Sequence, residues 1–318
     1  MQVIRDNPGT QLLQSAVVTI GNFDGLHIGH QGLLDQCKLL ADGKRPIAVM
    51  TFEPLPQAWF RPDSPPARLM SARQKLERLA NEGVDIVWLM RFNQSLASMP
   101  ADEFVQSTLV NTLGASDVVV GDDFRYGKGR QGDFASLKRA GEKYGFGVSA
   151  VPTIEVDGVR ASSSRIRECL DSGDLVQAEH LLGHPYRTQG RVIRGQQLGR
   201  KLGYPTANMR PAVSPGPLKG IFAVRARYCD DGQGNNNWHD GVANLGTRPA
   251  VGGEGFLVEV HLFDFERDLY GRRLEVEYVA KLRDEAHFED INDLVKQMRE
   301  DERLARQKLG LSKQKHGL

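Results

Sequence analysis

Two histidines flank one glycine in His27-Ile28-Gly29-His30, which closes the run Gly21-Asn22-Phe23-Asp24-Gly25-Leu26 and opens into a helical pattern from Gln31. Imidazole N–H groups can donate to phosphate oxygens as charge builds on them, and a glycine between them lets the backbone approach. A Gly-rich turn entering a helix N-terminus adds backbone N–H groups and a dipole that favours anions. His27 and His30 are therefore candidate catalytic donors, and Gly21, Asn22, Phe23, Asp24 and Gly29 candidate ATP- and phosphate-binding residues. A lone histidine reads more readily as an ordinary surface or core residue; two at this spacing reverse that reading. The chain has no GxxxxGK[ST], so a Walker-type ATPase is disfavoured and a triphosphate must be held another way.

Two further stretches suit the same kind of ligand. Ser162-Ser163-Ser164-Arg165-Ile166-Arg167 starts a helix with hydroxyls and guanidinium groups, and Ser164 and Arg167 are the phosphate candidates there, with a plain serine N-cap as the alternative. In Gly121-Asp122-Asp123-Phe124-Arg125-Tyr126-Gly127, Phe124 and Tyr126 can stack on a planar ring while Asp123 accepts ring N–H groups; core packing of Phe124 is the competing reading. The GxGxxG that begins at Gly127 stands too far beyond its strand to be a dinucleotide fingerprint.

A second site lies in Gly190-Arg191-Val192-Ile193-Arg194-Gly195-Gln196-Gln197-Leu198-Gly199-Arg200-Lys201-Leu202-Gly203-Tyr204-Pro205-Thr206-Ala207-Asn208. Glycines at this density can form an anion nest with Gly190, Gly195, Arg200 and Gly203, and Thr206 offers a hydroxyl for Mg²⁺. By composition, a turn-rich barrel loop explains the same glycines. Glu259 stands between Val258 and Val260, so on a strand it points away from them and can face a cleft.

These residues need elements to hold them. Between Ala16 and Val151, apolar runs at Val17–Ile20, Ile47–Phe52, Ile86–Met90, Val118–Val120 and Val148–Val151 alternate with helical patterns, which predicts a Rossmann-like parallel sheet covered by helices. Leu33, Leu34, Cys37 and Leu40 mark the first helix, Ser71 with Gln74 a capping box before the second, and Pro100 the start of a third. A turn at Asp157-Gly158 and two short helices, Ser162–Leu170 and Leu175–Leu182, lead to a boundary at Gly183-His184-Pro185. Beyond it, short alternating runs at Phe222–Val224, Val258–Leu262 and Leu274–Val279 predict a small antiparallel barrel. Gly232–Asn237 reads as a loop tip. A C-terminal helix with Ile291, Leu294, Val295 and Met298 on one face is expected to pack across the barrel. The expected domains are thus 1–185 and 186–318.

With 318 residues the chain has room for two cores. Its net charge of +1 gives no field to draw it onto nucleic acid, and 40% hydrophobic with 25% charged residues is the balance of a folded chain. No apolar run is long enough for a membrane span, and Asp6 and Pro8 stand where a signal peptide would be apolar, which predicts a cytoplasmic protein. Cys37, Cys169 and Cys229 are odd in number and far apart, as buried free thiols would be. A weak homo-oligomer stays open.

The His27–His30 segment resembles the signature of the HxGH nucleotidylyltransferases, and Gly190–Asn208 closely resembles the GRVxxGxxxGRxLGxPTAN region of riboflavin kinases. The pair, covering nearly the whole chain, resembles the bacterial bifunctional riboflavin kinase/FAD synthetases. The resemblance implies that the C-terminal barrel phosphorylates riboflavin to FMN with ATP, and that the N-terminal module adenylylates FMN to FAD with release of pyrophosphate. It implies no covalent enzyme intermediate, Mg²⁺ for both steps, and FMN and FAD as products, not bound groups. Thr206 and Asn208 then bind Mg²⁺ and phosphates, Glu259 is the base for the riboflavin 5′-hydroxyl, and Gly241–Pro249 and Leu269–Arg272 leading into Leu282-Arg283 resemble the flavin-side and barrel-closing elements, with Asn244 and Arg283 as flavin-binding residues. Ser164, Ala161 and Asp123 depart from the commoner Thr, β-branched residue and Asn of the family. Intact Thr206, Asn208 and Glu259 argue against a nucleotidylyltransferase with a degenerate barrel, and the histidines argue against a flavin-storage protein.

Overall fold

The computed structural model describes residues 1–5, 11–195, 199, 202–213, 216–229, 237–250 and 253–311. Arg200, Asp6, Pro8 and most of the Gly232–Asn237 tip lie outside the described residues. Two compact units are present, Met1–Pro66 with Ala72–Ser163, and Ala67–Ser71 with Ser164 onward.

In the first unit, strands β1 (Gln2–Arg5), β2 (Ala16–Ile20), β3 (Ile47–Glu53), β4 (Ile86–Arg91), β5 (Ala115–Gly121) and β6 (Gly147–Val151) form one parallel sheet in the order β1-β4-β3-β2-β5-β6. The five strands legible in the sequence are all present; β1, short and exposed at the sheet edge, carries too weak a pattern to be read. Every residue of β2 is buried, as a central strand covered on both faces requires. The helices are α1 (Ile28–Ala41), α2 (Pro56–Phe60), α3 (Ala72–Asn81), α4 (Gln94–Ser98), α5 (Ala101–Phe104), which runs on into a π-helical stretch Val105–Thr112, and α6 (Phe134–Tyr144). Helix α1 buries Leu33, Leu34, Cys37 and Ala41, one stripe at helical spacing. The chain leaves β2 toward β3 on one side while β5 pairs on the other, so the carboxyl end of β2 is the switch point where open α/β sheets bind ligands. A hairpin of β7 (Glu155–Val156) and β8 (Val159–Arg160) turns through Asp157 and Gly158, both at positive φ as its two-residue turn demands.

Helices α7 (Ser163–Ser172) and α8 (Leu175–Leu182) group with the barrel, where α8 packs on β14 (Arg273–Arg283). The barrel is closed by β9 (Arg187–Ile193), β10 (Ala207–Pro211), β11 (Gly220–Cys229), β12 (His239–Ala250), β13 (Gly253–Leu262) and β14 in the order β10-β13-β12-β11-β14-β9. Alternate residues such as Phe222, Val224, Met209, Val258 and Val260 are fully or almost fully buried and fill the barrel core. The C-terminal helix α9 (Ile291–Lys308) lies against β11, β12 and β14, as expected, with Leu294, Val295 and Met298 partly buried. Ile291 is 52% exposed, while Asp301, Ala305 and Leu309 are buried. Asp301 and Ala305 continue the stripe of Leu294 and Met298 at helical spacing, and the exposed Ile291 is where it frays.

Candidate active sites

The turn after β2 is held by its backbone. Gly21 N–H donates to the Met50 carbonyl at 3.1 Å, and Phe23, Gly25 and Leu26 take φ values of 49°, 89° and 44°. Side chains rarely adopt such values without support, so Phe23 and Leu26 must be held there by their surroundings. The Phe23 ring is fully buried and lies 3.2 Å from where a Cβ on Gly21 would stand. Three props fix the carbonyls of the turn. Ser163 Oγ donates to Asp24 O at 2.8 Å, Gln31 Nε2 to Leu26 O at 2.9 Å, and Lys75 Nζ to Asn22 O at 2.7 Å. Thr51 Oγ1 joins Lys75 on the same Asn22 carbonyl at 3.1 Å. Asp24, although buried, contributes through its backbone here.

The rings of His27 and His30 stack with centroids 3.7 Å apart and planes 24° from parallel, and Phe23 flanks His30 at 4.9 Å. A Cβ at Gly29 would stand 3.1 Å from His27 Cε1 and Nδ1, so the glycine leaves room for this stack. Burial, then the neighbouring His27 and Lys75, hold His30 well below its ordinary value of 6.5. It is a neutral imidazole near pH 7, with an Nδ1 that is buried and makes no hydrogen bond among the described residues. Helix α1 starts at His27 with no side-chain cap and no acid in its first turn. Its first N–H groups and its dipole are therefore directed at whatever anion occupies the end of β2.

The remaining candidates of this region divide. Asp123 forms an exposed ion pair with Arg160 of β8, a partner the sequence reading did not single out. Phe124, half-buried, stacks on Tyr126 at 5.6 Å. Tyr126 belongs to the core, between Phe104 and Phe124, with its hydroxyl 3.2 Å from Ser136 Oγ and its ionisation pushed up by burial. Of the two rings, Phe124 is the one with a face left to offer. Ser163, not Ser164, reaches the Asp24 carbonyl, and the Arg167 guanidinium donates to the Ala67 carbonyl.

In the barrel, strand register does the assembling. Asn208 of β10 and Asn244 of β12 are both the direct partners of Glu259 in β13, so the three share one face with Cβ atoms about 4.5–5.5 Å apart between neighbours. It is the face opposite Val258 and Val260, and the one on which Val242 packs against Ala305 and Leu309 of α9. The row continues through Ile221, paired with Asn244, to Arg283 of β14. Asn208 is buried, and Asn244 Oδ1 is buried with no hydrogen-bond partner among the described residues, so this acceptor awaits a donor. Arg283 is engaged by α9 instead: Nε meets Asp301 Oδ1 at 2.9 Å and Nη2 meets Oδ2 at 2.7 Å, while Gln297 Nε2 supports the same carboxylate at 3.0 Å.

The glycines of this unit serve three ends. A Cβ on Gly190 would run into the Arg210 carbonyl, so that residue is glycine for strand packing. One on Gly195 would run into the Asn208 carboxamide, which places the loop directly over that side chain. Gly203, at φ 84°, makes the turn in which Tyr204 N–H returns to Gly199 O at 2.8 Å. Tyr204 is then tied to α9 through Glu302 and Arg299, and burial and Glu302 push its hydroxyl up. Thr206, the residue before β10, and Asn208 and Glu259, paired across β10 and β13, are the hard oxygen donors of this region. Among the described residues no three His, Cys, Asp or Glu form an all-protein cage. Such a sparse oxygen set fits Mg²⁺, which keeps its waters and binds together with substrate phosphates.

Fold and sites together define a two-module phosphate-transfer protein, an α/β unit with two stacked histidines at a helix N-terminus and a barrel with a carboxylate between two carboxamides. Residues 10–165 match the family model of FAD synthetase and residues 182–309 that of riboflavin kinase. The bifunctional riboflavin kinase/FMN adenylyltransferase of Haemophilus influenzae is 43% identical over 303 residues, 95% of this chain and 97% of that protein. Its Escherichia coli K12 counterpart is 44% identical over 303 residues, 94% and 95% of the two chains. A solved structure described as a macrolide-efflux protein from Streptococcus pneumoniae has a TM-score of 0.82 at 29% identity, covering 96% of this chain and 99% of that one. The chain belongs to the family of bifunctional riboflavin kinase/FMN adenylyltransferases.

Proposed function

We propose that this chain carries both reactions of the family on separate sites: residues 186–318 phosphorylate riboflavin to FMN, and residues 1–185 join AMP from ATP to FMN, giving FAD and pyrophosphate. The observation that carries the reading is the register row, in which Glu259 lies between Asn208 and Asn244.

In the barrel, Glu259 takes the proton of the riboflavin 5′-hydroxyl as that oxygen bonds to the γ-phosphorus and the bond to the β-phosphate oxygen breaks, releasing ADP. Asn244 and Arg283 face the flavin side, Arg283 through its placement by Asp301. Gly195, Arg200 and Gly203 belong to the ATP loop, and Gly190 supports the strand beneath it. Thr206 and Asn208 would hold Mg²⁺, which when bound neutralises phosphate charge.

In the first unit, a phosphate oxygen of FMN attacks the α-phosphorus of ATP and pyrophosphate leaves. His27, His30 and the N–H groups of Asn22, Phe23, Asp24 and Gly29 hold the phosphates and stabilise charge at the reacting centre, with Gly21 setting the turn beneath them and Ser164 and Arg167 on the triphosphate. Asp123 and Phe124, with Tyr126 behind, meet the flavin. Substrates and products are riboflavin, ATP, FMN and FAD, with no nucleic acid and no membrane as partner. No described helix is long and apolar enough to cross a membrane. The buried free thiols of Cys37 and Cys169 suit the reducing cytoplasm.

Chromatography of flavins after incubation of flavin-stripped protein with riboflavin, ATP and Mg²⁺ tests the reading. FMN is expected to rise and then pass into FAD. Riboflavin left unchanged while added FMN becomes FAD would remove the barrel assignment, and no turnover of either flavin would remove both.

A further inference from the structure

Lys75 stands outside every motif of the first site, yet its side chain ends beneath it. The residue is 1% exposed, and its ammonium donates to Asn22 O at 2.7 Å and to Thr51 Oγ1 at 3.2 Å. We propose that Lys75 is a positioning residue for adenylyl transfer, which pins the Asn22 carbonyl downward, so directing the Phe23 N–H toward the phosphates, and places a fixed positive charge under them. The inference rests on the reading of the first unit as the adenylyl-transfer module.

The geometry argues as follows. Two donors, the Lys75 ammonium and the Thr51 hydroxyl, converge on one carbonyl. In a planar trans peptide the C=O and the following N–H point in opposite directions, so anchoring Asn22 O on the protein side turns the Phe23 N–H to the other side. That peptide precedes Phe23 at φ 49°, a conformation that needs such an anchor. An ammonium in a buried site carries a heavy desolvation cost, whereas an apolar chain of the same length would fill the space without it. The charge is also felt at the site: His27, at the start of α1, and Lys75, from α3, both oppose protonation of His30. Lys75 thus favours the neutral histidine and attracts the phosphate with the same positive field.

The full-length Lys75→Met variant is the test, because it keeps the length and loses the charge. Expected are a fall of about 100-fold in kcat for FAD formation from FMN, the size seen when one preorganised donor is lost, with KM values for FMN and ATP within about threefold. Riboflavin phosphorylation and thermal unfolding are expected to stay as in the parent, and the His30 imidazole, followed by NMR, to titrate closer to 6.5. FAD formation within about threefold of the parent overturns the proposal. Should the variant fail to fold, the parent chain decides by titration with pyrophosphate. The amide resonance of Phe23 is expected to shift more than those in the second turn of α1, and an unmoved Phe23 amide overturns the proposal. A parent chain that makes no FAD refutes the adenylyl-transfer reading itself, which is a different outcome from failure of the role given to Lys75.

Discussion

The two sites are built in opposite ways. In the α/β unit the candidate site is one continuous stretch, Gly21 to His30, whose peptide groups are set by positive φ angles and by props from Ser163, Gln31, Thr51 and Lys75. In the barrel the backbone is committed to the strand ladder, and the candidate site groups are side chains from β10, β12 and β13 that meet because their register aligns them. The first site is therefore sensitive to anything that shifts a peptide plane or a ring by a few tenths of an ångström. The second is sensitive to the identity of a few side chains and to the brace that α9 applies at Asp301.

The sharpest contrast is expected from Glu259→Gln, which keeps shape and ladder but removes the base. Riboflavin phosphorylation should fall by about 10²–10⁴-fold, while adenylylation of added FMN is unchanged, as read by steady-state assays of each step. Next is Asp301→Ala, which takes the buried carboxylate away from the half-buried Arg283 guanidinium. Losing such charge-assisted hydrogen bonds costs about 1.5–3 kcal/mol, so denaturant unfolding should show a destabilised barrel unit with the first unit unaltered. In the first site, Gly29→Ala pushes a methyl against the His27 ring, 3.1 Å away. An off-rotamer ring costs about 0.5–1.5 kcal/mol, so FAD formation should slow by up to about tenfold with FMN formation untouched.

The smallest effect concerns pH. Because burial, with His27 and Lys75, keeps His30 below 6.5 in the folded chain, the unfolded chain binds a proton there that the folded chain refuses. Stability contributed in this way is whole above about 6.5 and is lost as pH falls toward the folded value. Thermal unfolding of the first unit between about pH 7 and pH 5 should therefore show a steeper loss in the parent than in His30→Gln. An equal loss in both would mean that His30 is not the group concerned.

Contiguity also decides how much of each site was legible in the sequence. The turn, both histidines and Gly29 form one string, so their convergence needed no tertiary information. The props did not show: Lys75 sits within α3 one residue before Leu76 and four before Leu79, and the only available signal was a charge on the buried stripe with Leu79. In the barrel, Glu259 stood out between two valines, but its alignment with Asn208 and Asn244 depends on strand register, which no single stretch encodes. The face of α9 was legible at Leu294, Val295 and Met298, but its extension through the buried Asp301 was not, since that carboxylate is held by Arg283 of another element. Tyr126 shows the limit of reading an aromatic pair, where one ring serves the core and the other remains half-buried at its edge.

Separate sites in one chain are the central claim, and product analysis of two variants tests it most directly. Given riboflavin, ATP and Mg²⁺, His27→Ala should accumulate FMN and stop there, while Glu259→Gln should leave riboflavin unchanged yet convert added FMN to FAD. Equal loss of both steps in either variant would contradict the assignment.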